Sequence, residues 1–105
     1  MLLAGEHREV VLVVLGIEVE QALDSHPAVL ESAVVGAPDE LWGEIPVAFV
    51  TLREGAYVEP GELVEHVRAR LARFKAPKRI EYGPLPKTAT GKIQKFALRD
   101  RVRPD

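Results

Sequence analysis

With 105 residues, 47% of them hydrophobic and 29% charged, the sequence suffices for one compact domain and has an ordinary soluble globular composition. It holds no cysteine, which excludes disulfides and thiolate metal sites, and its three histidines (His7, His26, His66) stand at no metal-ligand spacing. The net charge of −2 hides an asymmetry: residues 1–60 carry two basic and eleven acidic side chains, residues 61–105 twelve basic and five acidic. A basic second half points to an anionic partner.

Val10 to Leu15 is rich in β-branched residues and reads as a strand. The apolar run ends at Ile17, well short of the roughly 20 residues a membrane helix needs, and no leader-like segment opens the chain. No membrane span and a cytoplasmic setting are therefore expected. Glu18 to Leu23 has a helical pattern, and Asp24-Ser25-His26-Pro27 stops it, because the residue before proline is pushed out of the α region.

Val29 to Val35 reads as a strand ending at Gly36-Ala37-Pro38, and Ile45 to Leu52 as another. A turn or single helical turn over Pro38–Glu44 would make them antiparallel neighbours. Glu59-Pro60-Gly61-Glu62 opens the clearest helix, with Leu63, Val64, Val67, Leu71 and Phe74 on one face and a stop at Lys75-Ala76-Pro77. Arg79 to Tyr82 is a short strand, and Ile93, Phe96, Ala97 and Leu98 suggest a last short helix. The order β-α-β-β-α-β-loop-α predicts a small single α+β domain over residues 1–105: an N-terminal strand or hairpin, a sheet of about three strands, and helices packed on it.

Between the last strand and the last helix runs Leu85-Pro86-Lys87-Thr88-Ala89-Thr90-Gly91-Lys92-Ile93-Gln94-Lys95. Lys92 is followed by Ile rather than Ser or Thr, so this is no P-loop, and neither GxGxxG nor GxSxG occurs. A glycine that permits a positive-φ turn can aim the lysine after it outward. The ammonium then suits a phosphate or carboxylate oxygen whose negative charge grows in a transition state. Taken alone, Thr90-Gly91-Lys92 fits an ordinary solvated loop as well.

Five stretches in order carry more information: Val34-Val35-Gly36-Ala37-Pro38-Asp39, Trp42-Gly43-Glu44, Ala48-Phe49-Val50, Phe74-Lys75-Ala76-Pro77, and Leu85 through Ile93. Over residues 18–100, from Glu18-Val19-Glu20 onward, the sequence resembles the C-terminal domain of adenylate-forming enzymes, and within them the acyl-CoA synthetases (fatty-acid–CoA ligases). The resemblance implies activation of a carboxylate with ATP to an acyl-adenylate, then acyl transfer to coenzyme A. ATP, with its Mg, and CoA would be substrates of the complete enzyme, none held tightly by this chain. It implies Lys92 as the adenylation lysine, Thr90 and Gly91 as its loop, and Arg8-Glu9 as a hinge pair.

The family's large N-terminal domain has no counterpart in these 105 residues. The expectation is a domain inactive alone, whose partner would be a separately encoded N-terminal adenylation domain. Only Leu15-Gly16-Ile17 separates the first strand from Glu18, so the family's Gly-rich loop looks about four residues short there, which bears on thioester formation. The competing reading is a non-catalytic interaction or regulatory module, or a relic retaining the fold. Nucleic-acid binding through Phe74 and Tyr82 is disfavoured, since both fit core and sheet positions. An apolar edge at Val10–Leu15 would favour homo-oligomers.

Overall fold

The computed structural model describes residues 16–41, 43–71 and 76–103. The expected N-terminal strand at Val10–Leu15 and the Arg8-Glu9 pair lie outside them, as do Trp42, Phe74 and Lys75.

A helix over residues 16–24 (α1) leads into the turn at Ser25–Ala28. Strand β1 (Val29–Asp39) then pairs antiparallel with β2 (Gly43–Leu52), and β2 pairs parallel with β3 (Arg79–Tyr82). The sheet order is β1-β2-β3, with β2 central. Helix α2 (Pro60–Arg68) bridges β2 to β3, the crossover that parallel strands require. Helix α3 (Lys95–Val102) follows the lysine-bearing loop.

The expected elements within the described residues are present, with shifted ends. β1 runs on through Pro38 to Asp39, paired with Gly43, instead of stopping at Gly36. The connection is thus a tight turn: Asp39 Oδ2 accepts the Leu41 N–H at 3.0 Å, and Gly43 takes a positive φ of 83°. Helix α2 ends at Arg68, before the apolar spacing, which the sequence carries on to Leu71 and Phe74. Leu71 still packs against the same core, from the turn after the helix.

Strands buried on both faces explain the near-continuous apolar runs Val47-Ala48-Phe49-Val50 and Ala33-Val34-Val35. Side chains alternate between two cores. Val34, Ala48 and Val50 point toward α1 and α2, where Val19, Leu23, Leu63 and Val67 are fully buried. Ala33, Val35, Ala37, Val47 and Phe49 point the other way, against Leu98 of α3 and Leu85 of the preceding segment. The hydroxyl of Tyr82 donates to the Val58 carbonyl at 2.6 Å and ties β3 to the segment that enters α2.

Candidate functional site

The loop between β3 and α3 is fixed at both ends by core contacts. Leu85 is buried in the second core, and Ile93 packs against it. Between them, Lys87 and Ile93 form an isolated antiparallel bridge, so the stretch is a small closed loop, not the irregular run its composition suggests. Three backbone hydrogen bonds hold it: Thr88 N–H to Lys92 O at 2.8 Å, Gly91 N–H to Thr88 O at 2.9 Å, and Gln94 N–H to Pro86 O at 2.8 Å. The Thr88 hydroxyl oxygen accepts the Lys92 N–H at 3.1 Å and lies 3.0 Å from the Thr90 hydroxyl.

Gly91 sits at φ 89°. Nothing lies within 4 Å of where its Cβ would be, so the backbone angle, and not crowding, requires glycine here. This conformation reverses the chain and delivers Lys92 to the surface, as the sequence predicted.

Three lysines surround this turn, and their surroundings differ. Lys87 Nζ pairs with Glu31 Oε2 of β1 at 2.8 Å, and Lys95 Nζ pairs with Glu20 Oε2 of α1 at 2.6 Å. Both pairs are partly buried. Lys92 is exposed and has no acidic partner among the described residues. Of the candidate residues, Thr90, Gly91 and Lys92 are thus brought together, while Arg8 and Glu9 lie outside the described residues.

The sequence did not single out Glu20 and Glu31. Glu20 Oε2 also accepts the Val34 N–H at 2.7 Å, closing an otherwise unpaired donor on the outer edge of β1. Asp24, one turn further along α1, accepts the Ser32 hydroxyl at 2.7 Å. Partial burial, with Glu20 and Glu31 nearby, raises the Asp24 carboxyl above its ordinary value, although the Ser32 bond pulls the other way. The edge of β1 is therefore acidic, and the loop lysines meet it there.

Two of the three histidines, distant in sequence, also come together. His26 and His66 make a T-shaped contact with ring centroids 4.9 Å apart. A guanidinium can only donate, so His66 Nδ1 accepts from Arg70 at 3.2 Å and its Nε2–H faces the Ser25 hydroxyl at 2.8 Å. That hydroxyl donates onward to the Ala22 carbonyl at 2.6 Å. A histidine donating toward a serine does not activate it, and this cluster is structural. No group of three His, Cys, Asp or Glu side chains among the described residues could hold a metal ion.

Residues 18–92, most of the chain and all of the loop up to its exposed lysine, match the model of the AMP-binding enzyme C-terminal domain. The chain belongs to that family. A 2-methylpropanoate–CoA ligase of Humulus lupulus is 52% identical over 90 residues, covering 83% of this chain and 16% of that protein. An acyl-CoA synthetase of Brucella canis superposes with a TM-score of 0.77 at 46% identity, over 82% of this chain and 17% of its own. An amide bond synthetase of Marinactinospora thermotolerans superposes at 0.80 with 36% identity, over 85% and 18%. This AMP-binding C-terminal domain thus spans about one sixth of the length of the proteins it matches. Among its described residues, no helix is long and apolar enough to cross a membrane.

Proposed function

We propose that this chain is the closing domain of an ATP-dependent acyl-CoA synthetase and that Lys92 is its adenylation lysine. The complete reaction joins a carboxylate to ATP, giving an acyl-adenylate and pyrophosphate, and then transfers the acyl group to the thiol of CoA. The observation that carries the assignment is the exposed Lys92 ammonium, without an acidic partner among the described residues, on a turn fixed by Gly91 and Thr88 in a chain of this family. In this reading Lys92 spans the carboxylate and the α-phosphate oxygens. Its part is electrostatic and positional: it steadies charge and brings two anions into contact, with no proton passed.

ATP and CoA enter as substrates, and magnesium travels with the ATP phosphates. The adenine pocket and the acyl tunnel belong to the large N-terminal domain of such an enzyme, so these 105 residues on their own turn over no substrate. Which acid is used, and whether CoA or another nucleophile takes the acyl group, is then decided largely outside this domain. The neighbours support that division, since an acyl-CoA synthetase and an amide bond synthetase each contain a part that superposes on this chain.

The test is complementation. Mixed with, or joined to, the large domain of a related CoA ligase, the chain should restore acyl-adenylate formation measured by pyrophosphate release. Lys92→Ala should lower that rate about 100-fold or more, the scale of removing one preorganised charge from a developing anion. Equal rates for Lys92→Ala and wild type would refute the assignment. Restored binding of the large domain with no turnover would favour a non-catalytic interaction module.

A further inference from the structure

Within nine residues this stretch carries three ammonium groups, and among the described residues two of them are paired with carboxylates and one is not. We propose that Glu31 and Glu20 are positioning residues for Lys92: each binds one flanking ammonium, which fixes the two ends of the loop and leaves a single lysine to meet an anion. This inference rests on the reading of Lys92 given above for its functional meaning, and on the geometry alone for the sorting of the three charges.

The two ion pairs lie at the two stems of the turn. Lys87 opens the short bridge to Ile93 and reaches Glu31 on β1. Lys95 begins α3 and reaches Glu20 on α1. Glu20 is itself anchored, because the same oxygen that meets Lys95 accepts the Val34 N–H. Carboxylates on α1 and β1 thus hold both ends of a segment that otherwise rests on Leu85, Ile93 and Leu98.

The arrangement has a second consequence. Were Lys87 or Lys95 free, its ammonium could compete with Lys92 for the same phosphate or carboxylate oxygens, in a different and unproductive geometry. Pairing each with a partly desolvated carboxylate removes that competition, because the pair must break before either lysine can turn toward a substrate. A half-exposed ion pair is worth little as stabilisation of the whole fold, so its use here is local placement.

Two measurements test this. The first is competitive labelling of the full chain with a trace of acetic anhydride, read by peptide mass spectrometry at each lysine. Lys92 should react faster than Lys87 and Lys95. Glu31→Gln should raise the rate at Lys87 about threefold and leave Lys95 unchanged, and Glu20→Gln should do the converse, the size being that of a half-exposed ion pair. Glutamine keeps an oxygen for the Val34 N–H, so the fold should persist, and circular dichroism checks it. Equal labelling of the three lysines in the wild type, or no change at Lys87 in Glu31→Gln, would overturn the sorting.

The second measurement uses the complemented enzyme. Glu31→Gln and Lys87→Gln should lower kcat about threefold with the KM for ATP unchanged, and Lys87→Arg, which preserves the pair, should restore it. If Glu31→Gln left kcat intact while Lys92→Ala abolished it, the positioning role would be wrong and the Lys92 assignment would stand. If Lys92→Ala kept full activity, the underlying reading would fail instead.

Discussion

The two faces of the sheet are built to different specifications. On one, the core formed with α1 and α2 holds eleven buried residues among those described, including Leu23, Leu63, Val19 and Val67 at zero exposure, which makes this face the main source of stability. On the other, the core formed with an eight-residue helix and the lysine-bearing segment holds seven among the described residues, of which Leu98 is the only one from outside the sheet at zero exposure. The first face can therefore hold the fold while the second carries an exposed charge and a positive-φ turn. A stable side supports a side where local strain and unpaired charge can be tolerated.

Trimming one leucine on each face tests that division and should give the largest stability effects. Leu63→Ala removes the centre of the larger core and should cost about 3–5 kcal/mol, a large share of the stability of a domain this size. Leu98→Ala removes a side chain under a short helix that can settle, and about 2 kcal/mol is expected. Denaturant midpoints measure both. Hydrogen exchange adds the decisive contrast: Leu98→Ala should expose the Thr88, Gly91 and Gln94 amides before the rest of the sheet opens. Uniform loosening in both variants would dissolve the distinction between the faces.

Two glycines sharpen it. Gly91→Ala should destabilise by about 1–2 kcal/mol, since alanine must be held at φ 89° with no space constraint to blame. Gly61→Ala, in the first turn of α2 with nothing within 4 Å of its Cβ, should instead stabilise by about 0.5 kcal/mol. The same substitution thus takes opposite signs on the two faces. Thermal midpoints of the two variants check it, and a shift in the same direction for both would count against the conformational account of Gly91.

Much of this could be read from residue order. The near-continuous apolar runs announced the sheet, Pro27 and Pro60 marked helix boundaries, and the turn chemistry of Thr90-Gly91 announced an outward lysine. The parallel pairing of β2 with β3 was not drawn from the sequence, although the helix between them supplies the crossover that parallel neighbours need. The early end of α2 was hidden, since Leu71 continues the apolar spacing and does reach the core, but from a turn. Glu20 and Glu31 gave no local signal. Their lysines lie far along the chain, and only tertiary contact selects these two acids among sixteen. The meeting of His26 with His66 was invisible for the same reason.

The smallest expected effects concern pH, and they fall on α1 and α2. Desolvation, with Arg70 and His26 close by, lowers the His66 pKa below its ordinary 6.5, against opposing contributions from the Ala22 carbonyl and Glu62. Below 6.5 the unfolded chain then binds the proton more readily than the folded one, so this contribution to stability is lost as pH falls through that range. Asp24 acts in the opposite sense. Its pKa is raised above 3.8, so the folded chain holds the proton longer, and stability falls as pH rises through the window above that value. His66→Gln, which can still donate to Ser25, should flatten the loss of stability on acidification. Asp24→Asn, which still accepts from Ser32, should remove the opposing slope and make acidification more damaging than in the wild type. Urea midpoints at half-unit steps from pH 4 to pH 7 resolve the two slopes. If His66→Gln left the profile unchanged, His66 would not be the seat of the acid sensitivity assigned to this face.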